Sequence, residues 1–464
     1  MRRIAFSTCL LAGLWAASPA IAQHQDHAEP QSTAPKPPAS SGKTMPMPAQ
    51  APEAAIDGRE GMSDMAHDLA DMKGTDDMTG MDNMTGVLGS YPMNREASGT
   101  SWQPDSSVHM GGVSAMRGDW MLMGHAMIYG VYEWQEGPRG DEKSYVYGML
   151  MGTARRDFER GTLNLRAMIS PDPFMGKSGY PLLLAAGETA DGVTPLVDRQ
   201  HPHELLMELS ASYSYKLSDR SSVFVYGGLP GEPAFGPPAF MHRASAMDSP
   251  EAPITHHWFD STHITFGVLT AGYVQDNWKL EASRFKGREP DENRYDIDDP
   301  KLDSTSFRAS WNPTPNLALQ GSWADLKSPE QLEPDKDETR YSVSGAYTVP
   351  LGEGRSWATT LAWGLKQSDE DLNGYAAETA FNPVKDWTIF ARAERVEQDE
   401  LLVGGVDTVT KASIGAIRDF KVSEFASIGI GGLYSYNWVP DRLAPSYGGD
   451  PAGAMAFVRL RIGS

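Results

Sequence analysis

A chain of 464 residues with a formal net charge of −21 cannot hold nucleic-acid phosphates by charge and instead suits a surface that attracts cations. Its single cysteine, Cys9, lies in the first apolar stretch, so disulfides and cysteine metal ligands are excluded from the mature chain. No later apolar run approaches the ~20 residues of a membrane helix, so if the chain spans a membrane it does so as a closed barrel.

Residues 1–22 read as a secretory signal: Arg2 and Arg3 begin it, an apolar stretch follows, and Ala20-Ile21-Ala22 supplies the small-residue cleavage site. Residues 23–118 are rich in Pro, Ala, Ser, Gly, Asp and Met and show no sustained period, which predicts a disordered tail. Its methionines are Met45, Met47, Met62, Met65, Met72, Met78, Met81, Met84 and Met93, with His24, His27 and His67 beside Asp26, Asp64 and Asp68. The spacings Met45-x-Met47, Met62-x-x-Met65 and Met78-x-x-Met81-x-x-Met84 let several thioethers close on one soft ion, Cu(I) above all, with Ag(I) and Cu(II) as alternatives. A low-complexity linker is the bland alternative.

From residue 119 to 464 short segments alternate apolar and polar residues, and their connections alternate short and long. That pattern predicts an all-β fold, an antiparallel transmembrane barrel of about 16 strands (14–18), embedded in outer-membrane lipid with both termini in the periplasm. The expected strands begin at 120, 144, 161, 205, 221, 262, 277, 305, 316, 340, 355, 374, 386, 406, 424 and 453. In one of them Trp357, Thr359, Leu361, Trp363 and Leu365 oppose Ala358, Thr360, Ala362, Gly364 and Lys366, one face for lipid and one for the lumen. Trp278, Trp311, Trp323, Trp387 and Trp438 fall near strand ends, as an aromatic girdle would. The chain ends Ile462-Gly463-Ser464 without the terminal aromatic usual in such barrels, and a soluble β-sandwich is the competing fold.

The same parity points Met121, Met123, His125 and Met127 of the first strand, Met149 and Met151 of the second and Met168 of the third into the lumen. They form either a thioether path for a soft ion or padding for a plugged interior. A one-residue error in register would turn the patch to lipid. His201, His203, His242, His256 and His257 occupy the two longest loops, and His263 is expected at the start of the following strand. Imidazole suits Cu(II), Zn(II) and Ni(II), and Glu204, Asp248, Glu251 and Asp260 are candidates to share coordination or orient the rings. The competing reading has these rings bonding a folded loop to the barrel wall. Ser261, His263 and Asp260 invite a hydrolase reading, which lacks any Gly-x-Ser-x-Gly context, so no enzyme is expected. Arg308, Lys366, Arg392, Glu394, Arg459 and Arg461 would charge the lumen.

The blocks Gly187-Glu-Thr-Ala-Asp-Gly, Leu196-Val-Asp-Arg-Gln-His-Pro-His-Glu-Leu, Gly228-Leu-Pro-Gly-Glu-Pro and Pro253-Ile-Thr-His-His resemble those of outer-membrane barrel proteins associated with copper and silver resistance loci. The tail resembles that of the copper-resistance outer-membrane protein B type. The resemblance covers residues 120–464 and implies a metal context, with metal ions and periplasmic copper-handling proteins as partners, but supplies no established catalytic residues. The expected function is therefore copper binding for sequestration or export at the outer membrane. The alternative is a porin-like passive channel for small solutes.

Overall fold

The computed structural model describes residues 84–107 and 112–463. Strand β1 (Val113–Arg117) leads into β2 (Trp120–Gln135), β3 (Glu142–Asp157) and β4 (Gly161–Ile169). The connection that follows contains β5 (Tyr180–Thr189) and β6 (Pro195–Gln200). Then come β7 (Leu206–Ser218), β8 (Ser221–Gly228), β9 (Val268–Gln275), β10 (Trp278–Phe285), β11 (Ser304–Thr314), β12 (Leu317–Leu326) and β13 (Glu338–Gly352). The last are β14 (Arg355–Gln367), β15 (Asp371–Asn382), β16 (Trp387–Gln398), β17 (Asp407–Lys421), β18 (Ala426–Trp438) and β19 (Ala452–Ile462).

Sixteen of these, β2–β4 and β7–β19, pair antiparallel in sequence order and close on themselves through β19 and β2, where Leu460 faces Ile128. β1 extends the same edge: Val113 pairs with Gly124 just beyond the Ile462–Ala126 pair. The sixteen-stranded barrel expected from the alternation is therefore present, with its register fixed by the dyad pattern. Leu122, Leu150, Leu165, Val225, Leu280, Leu361, Ile414 and Val458 are exposed on the outer face, where lipid belongs. Trp278, Trp311, Trp357 and Trp387 stand half-exposed at the short-turn end, and Trp134 and Trp438 at the long-loop end, as two aromatic girdles. Among the described residues no helix is long and apolar enough to cross a membrane.

Barrels of this strand number commonly leave an aqueous channel. Here the interior is filled from both ends. The connection 170–205 folds inward as the β5–β6 ribbon, whose Leu182, Leu183 and Leu184 pack with Met127, Met149, Met168 and Met207 in the main buried apolar cluster. The connection 229–267 follows it in, carrying the four-residue helix α1 (His256–Phe259), and is held by charge. Glu251 meets Lys411 at 2.6 Å and Arg392 at 3.3 Å, Arg243 meets Glu378 at 2.8 Å, and Thr255 Oγ1 donates to Glu394 at 2.7 Å. Such desolvated pairs add little net stability over apolar packing, but removing one partner costs about 3–5 kcal/mol, so they specify where the loop sits.

The two longest loops line the interior, where their apolar runs and acids match the inner wall. One expectation is corrected. The strand expected from Thr262 begins at Val268, since Ser261–His263 forms a 3-10 turn within the inserted loop. The tail expected over 23–118 is described only from residue 84, and from there it belongs to the barrel body. Val87, Leu88, Tyr91 and Trp102 pack on Phe224 and Val274, Arg308 donates to Thr100 Oγ1 at 2.9 Å, and Ala239 N donates to Ser98 Oγ at 2.8 Å. Residues 84–107 thus close the short-turn end and touch the inserted loop.

Candidate metal centre

The inward folding of the two long loops brings together five histidines spread in sequence from His201 to His263. His201 and His203 lie between β6 and β7, His256 and His257 in α1, and His263 in the 3-10 turn after it. Ring centroids are 5.1 Å apart for His203–His263, 5.3 Å for His256–His263, 5.5 Å for His256–His257, 6.1 Å for His201–His257 and 6.2 Å for His201–His256. All five are buried.

Three of the rings are oriented through Nδ1. His203 Nδ1 lies 2.8 Å from Asp172 Oδ2, His256 Nδ1 2.9 Å from Asp260 Oδ1, and His263 Nδ1 2.6 Å from the Asp260 carbonyl oxygen. These oxygens can only accept, so each Nδ1 carries a hydrogen, and in the neutral ring the lone pair is then on Nε2. The Nε2 atoms of His203 and His263 are buried and make no hydrogen bond. An imidazole steered by an oxygen acceptor on one nitrogen, with its other nitrogen free, is how proteins present histidine to a metal.

Burial, reinforced by neighbouring cationic groups, holds His201 well below the usual imidazole range. Burial likewise lowers His256, and burial with the neighbouring histidines holds His263 well down. These rings are neutral at pH 7 and can act as ligands. His257 differs: burial pulls it down, but the Glu289 carboxylate outweighs that and lifts it to about 9. His257 Nδ1 stands 3.5 Å from Glu289 Oε1, and ligand atoms of His257, Glu289 and Glu330 all lie within 4.8 Å of one another.

The acids expected to share coordination are otherwise engaged. Asp248 pairs with Arg459 and Arg461, Glu251 with Arg392 and Lys411, and Glu204 with Arg294. Asp260 takes Arg243 Nη1 at 2.8 Å while orienting His256, and so serves as a positioning group. Ser261 Oγ accepts from Arg340 at 2.7 Å and His263 Nδ1 is occupied by a backbone oxygen, so these residues form no serine–histidine pair. His242 closes a buried turn, Phe240–His242.

The predicted methionine face is on the inside. His125 of β2 pairs with Met151 of β3, which pairs with Met168 of β4, and Met127 pairs with Met149 in the next inward row. Met127 Sδ accepts from Tyr129 Oη at 3.6 Å. Met123 is buried and Met121 partly so. Met127, Met149 and Met168 also fill the apolar core under the β5–β6 ribbon, so packing is one role they carry. The tail candidates Met45, Met47, Met62, Met65, His67, Met78 and Met81 lie outside the described residues; Met84 is the first residue within them.

Sequence reasoning missed Asp172, Glu188, Glu289 and Glu330. Glu188 belongs to the block Gly187-Glu-Thr-Ala-Asp-Gly, and its Oε1 lies 3.2 Å from His201 Nε2. A Cβ at Gly187, where φ is +120°, would come within 2.8 Å of His257 Cε1. That block, the His201–His203 block and the His256–His257 block therefore meet in space, which was the available signal.

No family model and no curated protein matches the chain. Among solved structures it is similar to an OmpF of Salmonella typhi in complex with daunomycin, at 10% identity over 75% of this chain and 100% of that one, with a TM-score of 0.49. It is similar also to the outer-membrane expressed OmpT of Vibrio cholerae, at 9% identity over 75% and 100%, TM-score 0.44. An anion-selective porin from Comamonas acidovorans matches at 10% over 74% and 100%, TM-score 0.44. The assignment as an outer-membrane-type barrel stands on the closed register and the apolar outer belt.

Proposed function

We propose that this protein binds copper, or an ion of similar softness, inside an outer-membrane barrel and contributes to its sequestration or export. The reading is supported above all by four buried histidines, His201, His203, His256 and His263, of which the Nε2 atoms of His201, His203 and His263 are buried without a hydrogen bond. The His125–Met151–Met168 row adds thioether donors on the wall of the same interior. Thioether favours Cu(I) and Ag(I), and neutral imidazole accepts Cu(I) or Cu(II). The tail methionines would deliver the ion and periplasmic copper-handling proteins would supply or receive it. Titration of the refolded chain in detergent with Cu(I) and Ag(I) against a competing chelator tests this. Stoichiometric tight binding is expected; no competition with the chelator would overturn it.

A passive solute channel is the second reading: a barrel of sixteen strands is wide enough for one, and it requires that the inserted loops leave the interior, where Arg392 and Arg459 now pair with Glu251 and Asp248. Planar-bilayer conductance separates the two. The copper reading expects little steady conductance while the loops stay inserted, whereas a large, constant single-channel conductance would support the channel.

A further inference from the structure

We infer that His257, Glu289 and Glu330 form a separate site for a borderline divalent cation, of the Zn(II) or Co(II) class, beneath the long-loop mouth of the barrel. The inference rests on the metal-binding reading only in that an ion must reach the interior, since its donor set selects a different class of ion.

The three residues come from three connections, α1 in 229–267, the β10–β11 connection and the β12–β13 connection, all at the long-loop end. Their ligand atoms lie within 4.8 Å of one another. Two ligands bound at ~2.1 Å to one tetrahedral ion sit about 3–4 Å apart, so small rotations of the glutamate side chains suffice to close the site.

What points to a ligand is the state of the donor atoms. His257 Nδ1 and Glu289 Oε1 face each other as an ion pair at 3.5 Å, too long for a hydrogen bond, and Glu289 Oε2 and Glu330 Oε1 are buried without one, so an ion entering the site displaces the proton held between them. Buried carboxylate oxygens are rarely left so, because the lost hydration is not replaced. Two glutamates aimed at one point also repel each other unless a positive charge lies between them.

The neighbouring cations are largely committed elsewhere. Arg340 pairs with Glu338 and donates to Ser261 Oγ, and reaches Glu289 Oε1 only at 3.7 Å. Lys366 Nζ lies 3.6 Å from Glu338 and 5.2 Å from the Trp258 ring centroid. They temper the negative charge without occupying the oxygens.

The imidazole is turned for the purpose. Gly187 presses its bare Cα side against the His257 edge, where an added Cβ would lie 2.9 Å from Nε2, and this leaves Nδ1 facing the carboxylates. One imidazole and two carboxylates, with no thioether among them, match a borderline or hard divalent ion and not Cu(I) or Ag(I).

The test titrates the refolded full chain in detergent with Co(II), followed by its visible absorption, and with Zn(II) by chelator competition, in the wild type, Glu289→Gln and Glu330→Gln. Each substitution keeps shape and removes charge. Loss of one equivalent of Co(II) and Zn(II), or a weakening of about tenfold or more, is expected in both variants. Cu(I) binding measured in parallel should be unchanged by them. Should Glu289→Gln fail to fold, as heat-modified gel mobility would show, Glu330→Gln alone decides, since Glu330 is only partly buried. Wild-type binding retained in the variants, or no Co(II) binding by the wild type, overturns the site. Absence of Cu(I) binding by the wild type, together with Co(II) binding that both variants lose, would instead overturn the copper reading and leave this site standing.

Discussion

The indole Nε1 of Trp258 donates to the carbonyl of Leu372 at 2.9 Å, which seats the ring over the bare backbone of Gly374, while the Trp258 backbone and Cβ lie against Gly364 on the inner wall. A Cβ at Gly374 would stand 2.6 Å from Trp258 Cγ, so no side chain fits there while the ring stays. Trp258 follows His256 and His257 directly, and its seat fixes theirs.

Gly374→Ala should therefore push α1 off the wall. Overpacking of this kind costs about 1–3 kcal/mol, read as a shift in the denaturant midpoint. Co(II) binding should weaken with it. An unchanged midpoint with wild-type Co(II) affinity would show that α1 is not held by this contact.

Asp260 accepts from Phe240 N, Arg243 Nη1 and His256 Nδ1 at 2.8, 2.8 and 2.9 Å. In Asp260→Asn the charge-assisted bonds weaken by about 1.5–3 kcal/mol in all, and His256 loses the acceptor that fixes its tautomer. Copper affinity should fall more than fold stability, and the imidazole NMR signals of His256 should show both tautomers. A single tautomer matching the wild type would refute the orienting role.

Glu232 sits against Gly99, where the inserted loop meets residues 84–107. Burial, only partly offset by Arg308, raises its carboxyl to about 8 from an ordinary 4.5. The folded form thus holds a proton that the unfolded chain releases, so the contribution is complete below pH 4.5 and is lost as pH rises through about 8. Amide hydrogen exchange in residues 84–107, corrected for intrinsic rate, should speed up across that window, and Glu232→Gln should flatten the change. Protection that grows with pH would reverse the sign and refute the assignment.

Replacing Met151 and Met168 by Leu conserves volume, so stability should change by less than about 1.5 kcal/mol. If the row binds a soft ion, Ag(I) affinity falls while the fold remains. Unchanged Ag(I) affinity would leave these methionines with packing alone.

The barrel was legible because lipid on one side and lumen on the other impose a two-residue period, and Trp357 to Lys366 displays it without exception. The inserted loops were harder to read, because a loop that packs inside shows no such period. The run Leu182-Leu183-Leu184 was the clue, being too apolar for a loop in water. Val87, Leu88, Tyr91 and Trp102 gave a similar clue within an otherwise polar segment. His201, His203, His256 and His257 were legible as candidates by residue type, but their convergence depends on chain connections that no local pattern encodes. Glu289 and Glu330 were missed because acids are the ordinary content of polar loops, and only burial sets these two apart.

The most direct test of interior copper binding compares His203→Gln/His263→Gln with the wild type, the tail being identical in both, by Cu(I) titration against a competing chelator. Binding in the barrel interior predicts that the double variant loses at least one equivalent of tightly held Cu(I) while keeping its folded gel mobility. Identical stoichiometry and affinity in the two proteins would contradict it.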